Sequence, residues 1–499
     1  MAAHVLAIDQ GTTSSRALVV DDDGRITGKG QRTFTQFYPE PGLVEHDANE
    51  IWETTLGAID DALKAAAVNV TALSAVGITN QRETIVVWDR ASGEPVAPAI
   101  VWQDRRTAAL CAQLRSLGHE PSVAHTTGLT LDPYFSGTKL MWLFRSDTKL
   151  RERAEAGHLA AGTIDSWLIW KLTAGQRHVT DYTNASRTLL FNVRRGRWDE
   201  DMLSLFEVPK AILPVLQPSG SRFGVTDTGV IGAAIPILGV AGDQQSALFG
   251  QACFAPNQAK NTYGTGCFLL AGAGAKAPAE KGNMLLSLGA RSGRRGPEYV
   301  IEGSVFVAGA AIQWLRDELA IVHDSAAIEA LAASVPDTGG VAFVPAFTGL
   351  GAPDWDPYAR GAIMGLTRGS TKAHIARAAL EAIALSSAEL LDAVGAVLAA
   401  PIAELRVDGG ASANDLLMQM QADFAGVPVV RPAELETTAL GAAYLAGIGA
   451  GIWESEEEVA ELVRPGRIFE PAISDDDRAF RRAQWRRAVE RTRGWAEPQ

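Results

Sequence analysis

Cysteine is scarce in this chain: Cys111, Cys253 and Cys267 are the only ones in 499 residues, and no two form a CxxC pair. That excludes a disulfide framework and points to a reducing compartment. Long apolar runs are missing too. No uncharged stretch reaches the ~18 residues of a membrane span. The first residues have neither a basic region nor an apolar run of signal-peptide length. The expectation is a soluble, cytoplasmic protein with no integral membrane segment. Positive charge is in deficit, with 45 Lys and Arg against 58 Asp and Glu, a net charge of -13. An acidic chain repels phosphate backbones, which argues against nucleic acid as a partner. It does not argue against a nucleotide, because a local nest of N–H groups binds phosphate inside an acidic protein. The P-loop pattern GxxxxGK[ST] is absent, so any nucleotide site must be built another way.

The rest of the composition is globular, 47% hydrophobic and 21% charged. The length implies two or more domains at roughly 100–200 residues each. The chain opens with an apolar strand, Val5 to Ile8, a polar Gly-containing turn, and a second strand, Ala17 to Val20. A further turn at Asp21 to Gly24 leads to a third strand from Ile26. Strands are expected again at Ala75 to Thr79 and Thr84 to Asp89, with helices over 49–67 and 163–172. The rhythm restarts near residue 235. Pro236 to Val240 reads as a buried strand, 242–245 as a polar turn, and Ser246 opens a helix. Gly-punctuated strands over 262–270, a long helix over 373–397, a strand at 405–407 and a helix over 414–424 follow. Each half starts with strands that lead into a turn rich in Gly, Asp and Thr. The pattern predicts two similar α/β domains, 1–250 and 251–499, with a cleft between them. The last stretch, rich in Asp, Arg and Trp, is expected to be an amphipathic surface helix.

Three of the turns carry residues suited to phosphoryl chemistry. In Asp9-Gln10-Gly11-Thr12-Thr13-Ser14, backbone N–H groups and hydroxyls cradle phosphates. Arg16 adds a cation, and Asp9 at the strand end suits Mg²⁺ held through water. Read alone, the same stretch is also a well-made hairpin turn. In Gly242-Asp243-Gln244-Gln245, a carboxylate at the end of a buried strand sits where active-site groups gather in α/β folds. It could accept the proton of an attacking hydroxyl; alone, it could equally be a helix N-cap. Asp408-Gly409-Gly410-Ala411-Ser412-Ala413-Asn414 lets backbone approach an anionic ligand at a helix start. Together the three turns describe the walls of a nucleotide cleft.

These turns, with Asn80-Gln81-Arg82-Glu83-Thr84, Val101 to Thr107, Pro133 to Lys139 with Trp142, Asn261 to Cys267 and Gly365 to Gly369, carry a resemblance over nearly the whole chain. The chain resembles the FGGY carbohydrate kinases, within the larger actin, sugar-kinase and chaperone-ATPase fold group. The 80–84 and Tyr134 stretches resemble the glycerol-phosphorylating members most. The resemblance implies two actin-like, ribonuclease H-like domains and ATP-dependent phosphorylation of glycerol with Mg²⁺. It implies that Arg82, Glu83, Tyr134, Asp243 and Gln244 hold the hydroxyls of the substrate, with Trp102 and Phe268 along its carbons. Asp243 would be the general base, and Asp9 and Asp243 would lie near the metal. Nucleotide contacts would fall to Thr12, Thr13, Ser14, Arg16, Thr265, Gly309, Gln313, Gly410 and Asn414. By pattern alone the segment 308–314 is a buried helix, and Arg82-Glu83 a surface ion pair. Other family members act on pentuloses or tetritols, and relatives in the fold group are ATPases without a polyol pocket; both remain open here. Relatives self-associate, so a homodimer or homotetramer is expected. Some bacterial members bind a sugar bisphosphate through a basic Gly-rich loop. The corresponding stretch 224–236 has no Lys or Arg, and a bisphosphate needs cations, so that regulation is not expected.

Overall fold

The computed structural model describes residues 3–293 and 298–496. Two mixed sheets organise it. The first has six strands in the order Gly224–Val225, Pro236–Gly242, Leu73–Asn80, His4–Gln10, Ser14–Asp21, Ile26–Thr33. Its first three strands in the chain form an antiparallel meander, and Leu73–Asn80 and Pro236–Gly242 then add in parallel on the other side of the opening strand. The second sheet repeats this plan. Ala259–Tyr263, Cys267–Gly274 and Glu298–Val305 are antiparallel neighbours, and Leu405–Asp408 and Val429–Pro432 add in parallel beyond the first of them. Leu285–Gly289 and Pro465–Phe469 extend the two edges. In each half a helix joins meander to parallel strands: Ala48–Ala66 in the first, Lys372–Leu398 in the second.

Burial explains the strand patterns. Val5 to Ile8, Ala17 to Val20 and Ala75, Val76 and Ile78 are shielded on both faces, which is why they read as continuous apolar runs and not as alternation. The helix Thr437–Ala450 from the second half lies on the first sheet. Its Ala439, Leu440, Ala443 and Tyr444 share an apolar cluster with Val5, Ala7, Leu18, Val20 and Ala75. It also crosses the helix Asp243–Gly250, so closely that a Cβ on Gly441 would fall onto the Ser246 carbonyl oxygen. Gly441→Ala is therefore expected to force the two helices apart, lowering stability by about 1–3 kcal/mol. A reduced urea midpoint would record it.

A smaller sheet stands beside the first, with strands Glu45–His46, Ala99–Ile100, Ile85–Asp89 and Leu159–Thr163. The link from Leu73–Asn80 to Ile85–Asp89 is only residues 81–84, so Arg82 and Glu83 sit where the chain passes from one sheet to the other.

Three local expectations need correction. Residues 242–245 are not a turn: the strand Pro236–Gly242 runs straight into the helix Asp243–Gly250, with Gly242 as its cap residue. The helix at 309–317 is not buried all round; Ala311, Ile312 and Leu315 face the core, while Gln313 is exposed. A short 3₁₀ turn, Gly410–Ala413, precedes the helix Asp415–Ala425. The C-terminal helix Asp475–Glu490 buries Trp485, Ala488 and Val489 on one side, as an amphipathic surface helix should. Among the described residues no helix is long and apolar enough to cross a membrane.

Candidate active site

Residues 80–84 make a tight, strained turn. Glu83 holds a left-handed backbone, φ 62°, which is costly for a side-chain-bearing residue and is found where surroundings fix the chain for function. The fixing contacts are explicit. The Thr84 amide donates to the Arg82 carbonyl at 2.7 Å, and the Ser136 hydroxyl donates to the Glu83 carbonyl at 2.7 Å. Gln81 ties this turn to the first hairpin: its amide donates to the Gln10 carbonyl at 2.7 Å and its Nε2 to the Gly11 carbonyl at 3.1 Å.

Arg82 and Glu83 are 3% and 1% exposed, so they are not the surface pair that pattern alone allows. Arg82 Nε lies 3.2 Å from Asp243 Oδ1, and its Nη1 bonds Glu302 Oε2 at 2.8 Å and Gln245 Oε1 at 3.0 Å. The arginine side chain lies against Gly242, where a Cβ would come within 2.7 Å of Arg82 Cγ and Cδ; only glycine leaves that path open. Glu83 is held by Arg187 Nε at 2.5 Å, and Arg187 Nη1 stands 3.1 Å from Glu302 Oε2. The cluster is thus two guanidiniums and two carboxylates, all buried, with Asp243 at its open edge. Burial works against the charge of Glu302, but Arg187 and Arg82 override it and hold its pKa at about 2. Burial likewise opposes the charge on Arg82, and Glu302 and Glu83 outweigh it and push its pKa well above the usual value.

Aromatic side chains form the wall beside these charges. Trp102 stands edge-on to Tyr134 at 5.6 Å and to Phe268 at 6.2 Å. The Arg187 guanidinium lies 5.2 Å from the Tyr134 ring. Trp102 also reaches the first hairpin, its Nε1 donating to Thr12 Oγ1 at 2.9 Å.

Asp9 is the penultimate residue of the first strand and is 13% exposed at its side chain, 3.7 Å from Arg16. Burial lifts its pKa to about 6; Arg16 pulls it down, and the nearby charge of Asp243 pushes it further up. Two carboxylates near enough to act on each other's charge suit a divalent cation. Among the described residues no cluster of three or more His, Cys, Asp or Glu could hold one unaided, so such a cation would depend on ligand oxygens as well. The raised pKa fixes a sign. Folded Asp9 binds its proton more tightly than the unfolded residue, so its contribution to stability is full below about pH 4 and is lost as pH rises through 6. Asp9→Asn should therefore stabilise the ligand-free protein above pH 7, with the gain vanishing near pH 4, as thermal unfolding at the two pH values would read.

The remaining expected residues lie along the same edges. The Ser14 hydroxyl accepts from Gln31 at 3.0 Å, Thr13 is exposed, and Arg16 forms a close ion pair with Glu436 of the second half. Thr265 is exposed on the turn between two strands of the second sheet, and its carbonyl accepts from Ala308 and Ala310 at 2.8 and 3.1 Å, which places Gly309 against it. Gly410 is exposed with open space around it. Asn414 caps the next helix through a 2.8 Å bond from Leu417. Strands Ala259–Tyr263 and Leu405–Asp408 pair in parallel up to Thr262 and Asp408, so the 264–266 and 409–413 turns leave the sheet side by side. Glu302, Arg187, Gln245, Ser287 and Lys260 were not among the expected residues, yet all are buried in or beside the charged cluster. Glu302 and Ser287 are polar residues inside largely apolar strands, a signal the sequence offers for those two; Arg187, Gln245 and Lys260 lie in polar stretches that carry no such signal.

Comparison with known proteins decides the family. Residues 4–250 match the N-terminal domain of the FGGY family of carbohydrate kinases, and residues 259–450 match its C-terminal domain. The chain belongs to the FGGY carbohydrate kinase family. Among curated FGGY relatives, the glycerol kinase of Trichlorobacter lovleyi is 57% identical over 99% of this chain and 100% of its own length. That of Aromatoleum aromaticum is 58% identical over 99% of each. Among solved structures, a Plasmodium falciparum glycerol kinase with ADP superposes with a TM-score of 0.92 at 34% identity over 98% of both chains. A xylulose kinase from Lactobacillus acidophilus superposes with a TM-score of 0.85 at 20% identity, a likeness of fold.

Proposed function

We propose that this FGGY kinase transfers the γ-phosphoryl group of ATP to a terminal hydroxyl of glycerol, giving glycerol 3-phosphate. The observation that carries the reading is the small donor and acceptor set of buried Arg82, Glu83 and Tyr134, with Asp243 at its open edge, against an aromatic wall. A three-carbon polyol offers nothing but hydroxyls and a short apolar edge, and a site built to pair those hydroxyls rejects ligands that leave its buried polar groups unpaired. High identity to glycerol kinases along the full chain supports the same substrate.

In this reading Asp243 is the base. Its Oδ1 already accepts from the Gln244 amide at 2.7 Å and lies 3.2 Å from Arg82 Nε, while among the described residues no donor reaches Oδ2. Oδ2 is then the atom that takes the hydroxyl proton as the oxygen attacks phosphorus. Arg82, Glu83, Tyr134 and Gln244 orient the polyol, and Trp102 and Phe268 cover its carbons and exclude water. The 12–16 hairpin with Thr265, Gly309, Gln313, Gly410 and Asn414 lines the nucleotide side. Asp9 and Asp243 would hold Mg²⁺ through water and the phosphates. Bound there, the metal neutralises charge that builds on the phosphoryl oxygens. Residues 1–250 and 251–499 act as the two walls of the cleft.

The test is ADP release with ATP and Mg²⁺ over glycerol, dihydroxyacetone, erythritol, xylulose and ribulose. Glycerol should give the highest kcat/KM. ATP turnover that no polyol stimulates, or faster turnover with a pentulose, would overturn the proposal.

A further inference from the structure

We propose that Lys260 is a positioning residue that fixes the orientation of the Gln244 carboxamide, so that Gln244 presents its Nε2 to the polyol as a hydrogen-bond donor. The inference rests on the polyol-kinase reading and assigns Gln244 a direction that reading leaves open. Lys260 lies in the strand Ala259–Tyr263 of the second sheet and is 0% exposed, whereas Gln244 lies in the first turn of the helix Asp243–Gly250 of the first half. The Lys260 ammonium donates to Gln244 Oε1 and, at 2.7 Å, to Thr262 Oγ1.

An ammonium has three donors and no acceptor. Whatever it bonds on a carboxamide must be the oxygen, so the amide orientation follows from chemistry, not from an arbitrary choice between O and N. With Oε1 turned to the ammonium, Nε2 is the end with unused donors for a ligand: it makes no hydrogen bond to the described residues. A hydroxyl that meets Nε2 must accept from it. Its own proton then points to another acceptor, and the acceptors at this edge of the cluster are the carboxylates of Asp243 and Glu83. Accepting from Gln244 and donating to a carboxylate is the polarity a nucleophilic hydroxyl needs.

The surroundings keep the lysine in place. Burial pulls its pKa down to about 8, while the charges of Asp408, Asp243 and Glu302 support the ammonium and that of Arg82 opposes it. The lysine is therefore an internal cation that bridges the two halves behind the substrate residues. Nothing in its position requires it to touch the polyol.

A double-mutant cycle tests this. kcat/KM for glycerol is measured for the wild type, Lys260→Met, Gln244→Ala and the double variant, with ADP affinity by calorimetry for each. Each single change should lower kcat/KM roughly tenfold or more, and the double variant should match Gln244→Ala within about twofold. Lys260→Arg, which keeps a donor, should recover most of the loss, and ADP affinity should stay constant. If Lys260→Met does not fold, Lys260→Gln enters the same cycle. Losses that multiply in the double variant, or a fall in ADP affinity that tracks the fall in kcat/KM, would overturn the assignment and leave Lys260 as general support for the fold. A wild type with no glycerol-dependent turnover would overturn both the assignment and the reading beneath it, a result distinct from multiplying losses in an active enzyme.

Discussion

Asp243→Asn is expected to lower kcat for glycerol phosphorylation by about 10²–10⁴, the usual contribution of a general base, while glycerol binding stays measurable. The substitution keeps the shape of the side chain and an oxygen for the Gln244 amide, which donates at 2.7 Å. It removes the charge that Arg82 Nε approaches at 3.2 Å and the lone pairs that would take the proton. The loss should therefore fall on kcat, because the base acts only as the hydroxyl attacks, and a group used only in the transition state lowers kcat and kcat/KM together. Steady-state kinetics with an independent measure of glycerol affinity separates the two. Turnover that survives within about tenfold would mean that another group accepts the proton, or that none is needed in a loose phosphoryl-transfer transition state. The nearby charge of Asp243 also contributes to the raised pKa of Asp9, so the variant should lower the Asp9 pKa in the ligand-free protein.

The halves of the site differ in how far the sequence reveals them. The strand starts are legible because runs such as Val5 to Ile8 and Ala17 to Val20 are shielded on both faces and bounded by polar turns. The repeated meander was legible for the same reason. The helix at Asp243 was harder. Residues Gly242 to Gln245 have turn composition, and the helix begins there because Gly242 serves as its cap and Gln245 and Ser246 are buried against the second half. That is a tertiary contact, invisible to local pattern. The charged cluster shows the limit most clearly. Arg82 and Glu83 are adjacent in sequence, and local reasoning pairs them with each other. In the structure their Nε to Oε1 distance is 3.9 Å, and each has a closer partner: Glu302, 220 positions away, and Arg187, 104 positions away. No spacing rule reaches across those separations. What the sequence did contain was a glutamate, Glu302, in the largely apolar strand Glu298–Val305. A buried charge is tolerated only when paired, so it was a sign of a partner that the sequence could not name.

Glu302→Ala should be the most damaging change away from the reacting atoms. Glu302 comes from the second sheet, yet Arg82 and Arg187 belong to the first half, and both approach its Oε2, at 2.8 and 3.1 Å. Its Oε1 accepts from Gln245 at 3.0 Å and from the Ser287 hydroxyl. Removing the carboxylate leaves two buried guanidiniums, Arg187 with Glu83 and Arg82 with the partly exposed Asp243 as the nearest remaining charge. Breaking a buried pair from one side typically costs about 3–5 kcal/mol, because the penalty is that of the charge left behind. The loss should appear both as a lower denaturation midpoint and as a fall in kcat/KM for glycerol, since Arg82 is the residue that Glu302 holds against Asp243. Glu302→Gln keeps one acceptor oxygen and much of the shape, so it should destabilise less and retain more activity. Methionine at both ends of the contact, in Arg82→Met with Glu302→Met, should restore part of the stability and none of the glycerol turnover, because well-packed apolar side chains can replace a buried ion pair in the fold but cannot pair a hydroxyl. A double variant that regained turnover would remove Arg82 from the substrate site. If stability recovers without turnover, the cluster is maintained for the polyol, at a cost to the fold that apolar residues would not impose.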